Sequence, residues 1–177
     1  MPTPALSSTD ALGARPILGV LRAVAAALAS ATQGPDGGGR LWALSEDELG
    51  ECLALAAQVV SAAQAVTAAV VIEADERGTG VQSALSRTDW VLGAAGSMEA
   101  AEAARLARLA RACREPALAG LRDAVTTGAV GVIKGALIGD LAQEARPLAD
   151  PAALDETVAT LVRSAPALTV PQLRTAV

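Results

Sequence analysis

Residues 45–78, SEDELGECLALAAQVVSAAQAVTAAVVIEADERG, decide the fold. Ser45 and Glu48 stand three apart in the pattern of a capping box, where each side chain takes up an amide that the first helical turn leaves unpaired; Leu44 and Leu49 sit where a hydrophobic staple would close. No proline interrupts the run that follows, and Gly78 can turn left-handed at its end. The reading is one helix over residues 45–77, on the order of 48 Å long at 1.5 Å per residue. Along it Leu49, Leu53, Ala56, Val60, Ala63, Thr67, Val70 and Ala74 recur at alternating intervals of four and three, and Cys52, Leu55, Val59, Ala62, Val66 and Ala69 make an adjacent stripe. Two apolar stripes imply contacts on two sides, with helices of the same chain or with a second copy.

Composition points the same way. Of the 177 residues 43 are alanine, the best helix former, while Phe and Tyr are absent and the only tryptophans are Trp42 and Trp90. A buried methyl contributes roughly 0.8 kcal/mol, against about 1.5–3 for a whole Leu or Val side chain. Stability must therefore be spread over many close helix contacts. The expected class is all-α: a multi-helix bundle around one long central helix, with a helix-turn-helix-like unit beside it.

Residues 1–12 are rich in Pro, Ser and Thr and read as a flexible start, residues 17–31 as a first helix, and QGPDGGGR at 33–40 as a hinge loop that no helix can cross. This divides the chain into residues 1–40 and a helical domain over 41–177. Past Gly78, Ser86 and Asp89 cap a short helix that carries Trp90 and Leu92 and stops at Gly96. Ser97 then caps an arginine-lined helix, with Glu99 and Glu102 favouring its positive end and Pro116 breaking it. Further helices are expected over 117–127, 129–145 and 151–164, with a last turn or two from 169.

Two segments imitate membrane elements. Residues 53–72 carry no charge over a spanning length, but Gln58, Ser61, Gln64, Thr67 and the alanine load argue for a protein core. Residues 17–31 end in small residues as a secretory signal does, yet Arg22 interrupts them and Asp10 precedes them. No membrane partner is expected.

The chain contains no histidine. That removes the usual general base, the commonest zinc ligand and both the serine and cysteine triads. Cys52 and Cys113, 61 positions apart without a CxxC spacing, read as buried free thiols, a usage that fits a reducing cytoplasm. The carboxylates Glu46, Asp47, Glu48 and Glu51, and likewise Glu73, Asp75 and Glu76, lie at helix ends, where solvated charge and dipole compensation explain them. Lys134 in IKGA lacks the glycine before it and the Ser or Thr after it that a phosphate loop requires. No catalytic constellation, metal, cofactor or small-molecule ligand is therefore expected.

The candidates that remain are cationic and structural. On the arginine helix Leu106, Leu109, Ala110 and Cys113 share a face, and Arg105, Arg108, Arg111 and Arg114 fall on the opposite half. With Arg87 they give the segment five arginines against Asp89, Glu99 and Glu102, an excess of two positive charges in a chain of net charge -5. Such a ridge could neutralise phosphates, and an arginine-bearing second helix after a glycine turn is the way helix-turn-helix proteins enter the major groove. The plainer reading is a solvated face with Glu102 to Arg105 pairing. Trp90, unaccompanied by other aromatics, reads as a core anchor and not as a base-stacking platform. Gly131, Gly135 and Gly139 recur every four residues and are expected to let a neighbouring helix approach closely.

Taken in order, Gly78 and Gly80, Ser86 and Trp90, Gly96, Ser97, Glu99 and Ala100, then Ala110, Pro116 and Gly128, and finally Glu156, Leu161, Ala165, Leu168 and Leu173 resemble the signposts of the domain of unknown function 222 family. The resemblance covers residues 41–177. Members are mostly actinobacterial and often carry a carboxy-terminal HNH nuclease module, so the resemblance implies a DNA-related role for a longer protein. A His-Ala pair often follows the Gly128 equivalent in the family; Lys134 and Gly135 stand there in this chain.

Three functional readings follow. The first is a non-catalytic helical module of an HNH-endonuclease-type protein that associates with DNA or with itself, positioning while another module cuts. The second is an interaction scaffold that oligomerises through the long helix without touching nucleic acid. A carboxylate catalyst is the third, and the missing histidines and aromatics count against it.

Overall fold

The computed structural model describes residues 15–32, 41–79 and 85–176. Within them the chain is all-α, with eight α-helices: α1 Arg15–Thr32, α2 Glu46–Glu76, α3 Arg87–Ala95, α4 Ala100–Cys113, α5 Ala119–Thr126, α6 Val132–Ala145, α7 Pro151–Ser164 and α8 Val170–Ala176. The expected hinge loop over 33–40 and the flexible start lie outside the described residues. The chain divides into two compact units, Met1–Ala54 and Leu55–Val177.

The first unit holds α1, a 3-10 turn at Leu41–Ala43 and the start of α2. Among its described side chains none is buried. Ile17, Leu18, Val20, Leu21 and Val24 of α1 and Trp42 of the 3-10 turn are all exposed.

The α2 helix begins as its local chemistry dictates. The Glu48 amide donates to Ser45 Oγ at 3.3 Å, and the Ser45 amide donates to Glu48 Oε2 at 2.7 Å, completing the capping box. Donation from the Ser45 amide, and then from its hydroxyl, holds the Glu48 carboxyl below its ordinary value. At the far end the Thr79 amide reaches the Ala74 carbonyl at 2.8 Å and the Gly78 amide reaches Asp75 at 3.1 Å. With Gly78 at φ +64 this is a Schellman motif, which satisfies carbonyls the last turn would orphan.

In the second unit α4 is the helix most completely enclosed, burying Ala103, Leu106, Ala107, Leu109, Ala110, Ala112 and Cys113. Its predicted apolar face is thus the observed one. The helix starts at Ala100 and not beside Ser97, because Met98 is drawn in as a half-buried residue against the core and the Glu99 carbonyl becomes the first acceptor, taking the Glu102 and Ala103 amides at 3.0 Å each. Trp90 and Leu92 of α3 pack partly buried against the same core, and Gly96 closes α3 at φ +69. Leu121, Val125, Ile138 and Leu173 complete it from α5, α6 and α8. Each fully buried Leu or Ile among them contributes about 1.5–3 kcal/mol.

Two of the three expected packing glycines act as such. A Cβ on Gly135 would lie 2.6 Å from Val125 Cγ2, and one on Gly139 would lie 2.9 Å from Ala112 Cβ. Backbone therefore meets side chain directly where α6 packs on α5, at Gly135, and on α4, at Gly139. Gly131 does not belong to the row: it is the extended N-cap residue of α6, with φ -65 and ψ 151 and nothing near its missing side chain. The turn after Gly128, which sits at φ +79, uses up the residues that a longer helix would have needed.

Of the described helices α2 alone is long and apolar enough to cross a membrane. Its C-terminal part nevertheless packs as a core helix, burying Ala65, Ala68, Val71, Ile72, Ala74 and the carboxylate of Asp75.

Candidate functional site

The arginine ridge is built as the sequence implies, on the outer side of α4 with Arg87 added from α3. Its charges, however, are largely answered from within the molecule. Asp75, read from sequence as a solvated charge at a helix end, is 3% exposed. It forms ion pairs with Arg87 Nε and, at 3.8 Å, with Arg114 Nε. The reason is register: Ala65, Ala68, Ile72 and Asp75 follow one another at helical spacing on the buried side of α2, so the last member of that stripe carries its charge into the core. A buried carboxylate requires counter-charge, and α3 and α4 each supply one guanidinium. Neither Asp75 oxygen has a hydrogen-bond partner among the described residues; the ion pairs carry the compensation.

Arg108 faces Asp140 of α6 at 3.4 Å with half of its side chain exposed, a pair that solvent screens. Adding Asp75 and Asp140 to Asp89, Glu99 and Glu102 cancels the five arginines. Arg105 and Arg111 have no acid within ion-pairing distance among the described residues, and the Glu102 to Arg105 bridge expected from their spacing is not formed. Arg105 lines a cleft of about 280 Å³ with Gln64, Thr67, Met98 and Glu102, which places a carboxylate in the same wall. The five arginines of the ridge are therefore not equivalent. One member is fixed on a buried acid, two more face acids, and two remain.

Other ionic links tie the second unit together. Arg122 of α5 grips the Glu76 carboxylate with both terminal nitrogens, and Arg146 pairs with Glu115. Lys134, set aside above as a phosphate ligand, donates to the Ala165 carbonyl at 2.8 Å. A cation at the end of α7 answers carbonyls that no further turn satisfies.

The cysteines differ from each other, contrary to the expectation that both are buried: Cys113 is buried and Cys52 is exposed. Burial pushes the Cys113 thiol up to about 11, with Arg122 opposing and Glu76 reinforcing the shift. Protonated at neutral pH, it behaves as a small apolar residue. Cys52 lies in the N-terminal half of α2, residues 46–64, where no side chain is buried. No group of three or more His, Cys, Asp or Glu placed to hold a metal occurs among the described residues.

The other surface that stands out is on α2. The four-three stripe has Leu49 44%, Leu53 73%, Val60 56% and Val70 48% exposed, and Leu55 and Val59 beside it are 52% and 38% exposed. The buried residues of α2 all lie between Ala65 and Asp75, and the stripe runs into them, with Thr67 half-buried and Ala74 buried. Comparison with family models, with curated proteins and with solved structures yields no match.

Proposed function

We propose that this chain is a self-associating, non-catalytic helical module whose contact surface is the exposed stripe of α2. The observation that carries this reading is the N-terminal half of α2, residues 46–64, in which no side chain is buried although the stretch is largely apolar. From Ala65 on the helix is taken up by the bundle, whereas Leu49, Leu53, Ala56, Val60 and Ala63 before it keep the four-three spacing of a coiled-coil seam and are exposed. An exposed contiguous apolar surface marks an interaction site. Nucleic-acid contact draws less support, since the ridge that would make it is balanced by Asp75 and Asp140. Read with the resemblance to domain of unknown function 222, the module would bring copies of an HNH-endonuclease-type protein together.

Light scattering across a concentration series tests the proposal. The wild type is expected to gain mass with concentration, and Leu53→Glu together with Val60→Glu to stay monomeric while its helical circular dichroism is unchanged. Equal masses for the two proteins at every concentration would refute it.

A further inference from the structure

We infer that a groove between α2 on one side and α4 and the turn before α6 on the other holds an extended peptide of another protein, with an acidic side chain of that peptide on Arg105. This partner is distinct from a second copy held on α2, because Leu53, Ala56 and Val60 line none of the clefts that make up the groove.

Three clefts follow one another along α2. The cleft of about 280 Å³ beside Arg105 shares Gln64 and Val132 with a second of about 230 Å³, and the second shares Ser61 and Gly128 with a third of about 370 Å³. On the α2 side they run from Ala57 to Thr67, about 15 Å at 1.5 Å per residue. An extended chain advances about 3.3 Å per residue, so about five residues fit along it. The facing wall includes Gly128 and Gly131, where no side chain stands between a ligand and the backbone.

The chemistry of the walls suits a peptide. Within the charge-free residues 53–72 the only polar side chains are Gln58, Ser61, Gln64 and Thr67, and all four line the groove. Thr67 donates its hydroxyl to the Ala63 carbonyl at 2.9 Å, whereas the side chains of Gln58, Ser61 and Gln64 make no hydrogen bond among the described residues. Two carboxamides and a hydroxyl, each able to donate and to accept, match the alternating N–H and C=O groups of a peptide backbone. Charge then selects the side chain. Arg105 and Lys134 bring two cations to the groove against the one carboxylate of Glu102. Lys134 is held by the Ala165 carbonyl, but half-buried Arg105 has no acid within ion-pairing distance among the described residues. A guanidinium without a counter-ion is complementary to a carboxylate, which it binds through paired N–H donors. A nucleic-acid strand fits less well, since it would bring a phosphate at every nucleotide to walls where Glu102 stands beside Arg105.

Chemical-shift mapping on the full chain tests this with blocked alanine pentapeptides whose central residue is aspartate, asparagine or lysine, and with pentathymidylate. At millimolar concentration the aspartate peptide is expected to shift amides within residues 57–67 and 127–133, and to bind about fivefold more tightly than the asparagine peptide, the difference between a charge-assisted and a neutral hydrogen bond. The lysine peptide should bind least. Arg105→Gln should abolish the preference for aspartate and leave the asparagine peptide unaffected. Gly131→Leu should weaken both peptides while the helical circular dichroism is kept, because nothing lies within 4 Å of a Cβ at that position and the added side chain has the groove to occupy. Absence of shifts with all three peptides, shifts confined to other surfaces, or equal binding of the aspartate and asparagine peptides would overturn the inference. Tighter binding of pentathymidylate than of the aspartate peptide would overturn it in favour of a nucleic acid. Each of these failures leaves self-association through α2 standing, since mass against concentration is measured without any peptide.

Discussion

Gly139→Ala is expected to destabilise the bundle by about 1–2 kcal/mol, although alanine is the better helix former. The added methyl would stand 2.9 Å from the Ala112 Cβ. That atom is fixed to the α4 backbone and cannot rotate away, so the helices must separate. Overpacking a close contact costs about 1–3 kcal/mol, and the gain in helix propensity returns about 1 kcal/mol of it. Gly93→Ala in α3 isolates the propensity term, because nothing lies within 4 Å of the position. It should stabilise by roughly 0.5–1 kcal/mol. Thermal melts of the two variants should therefore move in opposite directions, by about 2–4 °C per kcal/mol. If both variants melted above the wild type, the close crossing of α4 and α6 would be wrong.

Removing the counter-charge of Asp75 should have the larger effect. Arg87→Met leaves a carboxylate that is 3% exposed with only Arg114 at 3.8 Å. Stranding one member of a buried pair costs about 3–5 kcal/mol, most of it desolvation of the charge left behind. With Arg114 still near, about 3 kcal/mol is expected. Asp75→Asn is the milder change, because the freed Arg87 guanidinium can turn to solvent. Combining Asp75→Asn with Arg87→Met should recover at least half of the loss, since no charge is then orphaned. Urea denaturation of the single and double variants measures this. If Arg87→Met unfolded within about 0.5 kcal/mol of the wild type, as an ordinary surface change would, the buried pair would not have the role assigned to it.

Helix positions were legible because they depend on near neighbours. The capping box at Ser45, the cap at Ser86, the break at Pro116 and the left-handed end at Gly78 are each written within a few residues, and each appears in the structure. What depends on contacts between helices was not legible. The spacing of Gly131, Gly135 and Gly139 is uniform, but only the last two lie where α6 meets other helices. The ridge arginines looked unopposed because Asp75 and Asp140 are distant in sequence and come close only through packing. A signal for Asp75 did exist: it continues the stripe Ala65, Ala68, Ile72, and that stripe proved to be the buried one. Periodicity along α2 alone could not say that the bundle would take only its C-terminal part, from Ala65 on.

The assignment of the exposed N-terminal half of α2 to self-association is most directly tested by amide hydrogen exchange in dilute and in concentrated solution. Exchange reports local opening, which association through a surface suppresses there and leaves alone elsewhere. Amides over residues 49–63 should exchange more slowly in the concentrated sample, and those of α6, enclosed in the bundle, should exchange alike in both. Unchanged exchange over 49–63 would contradict the assignment of that half of α2 to self-association.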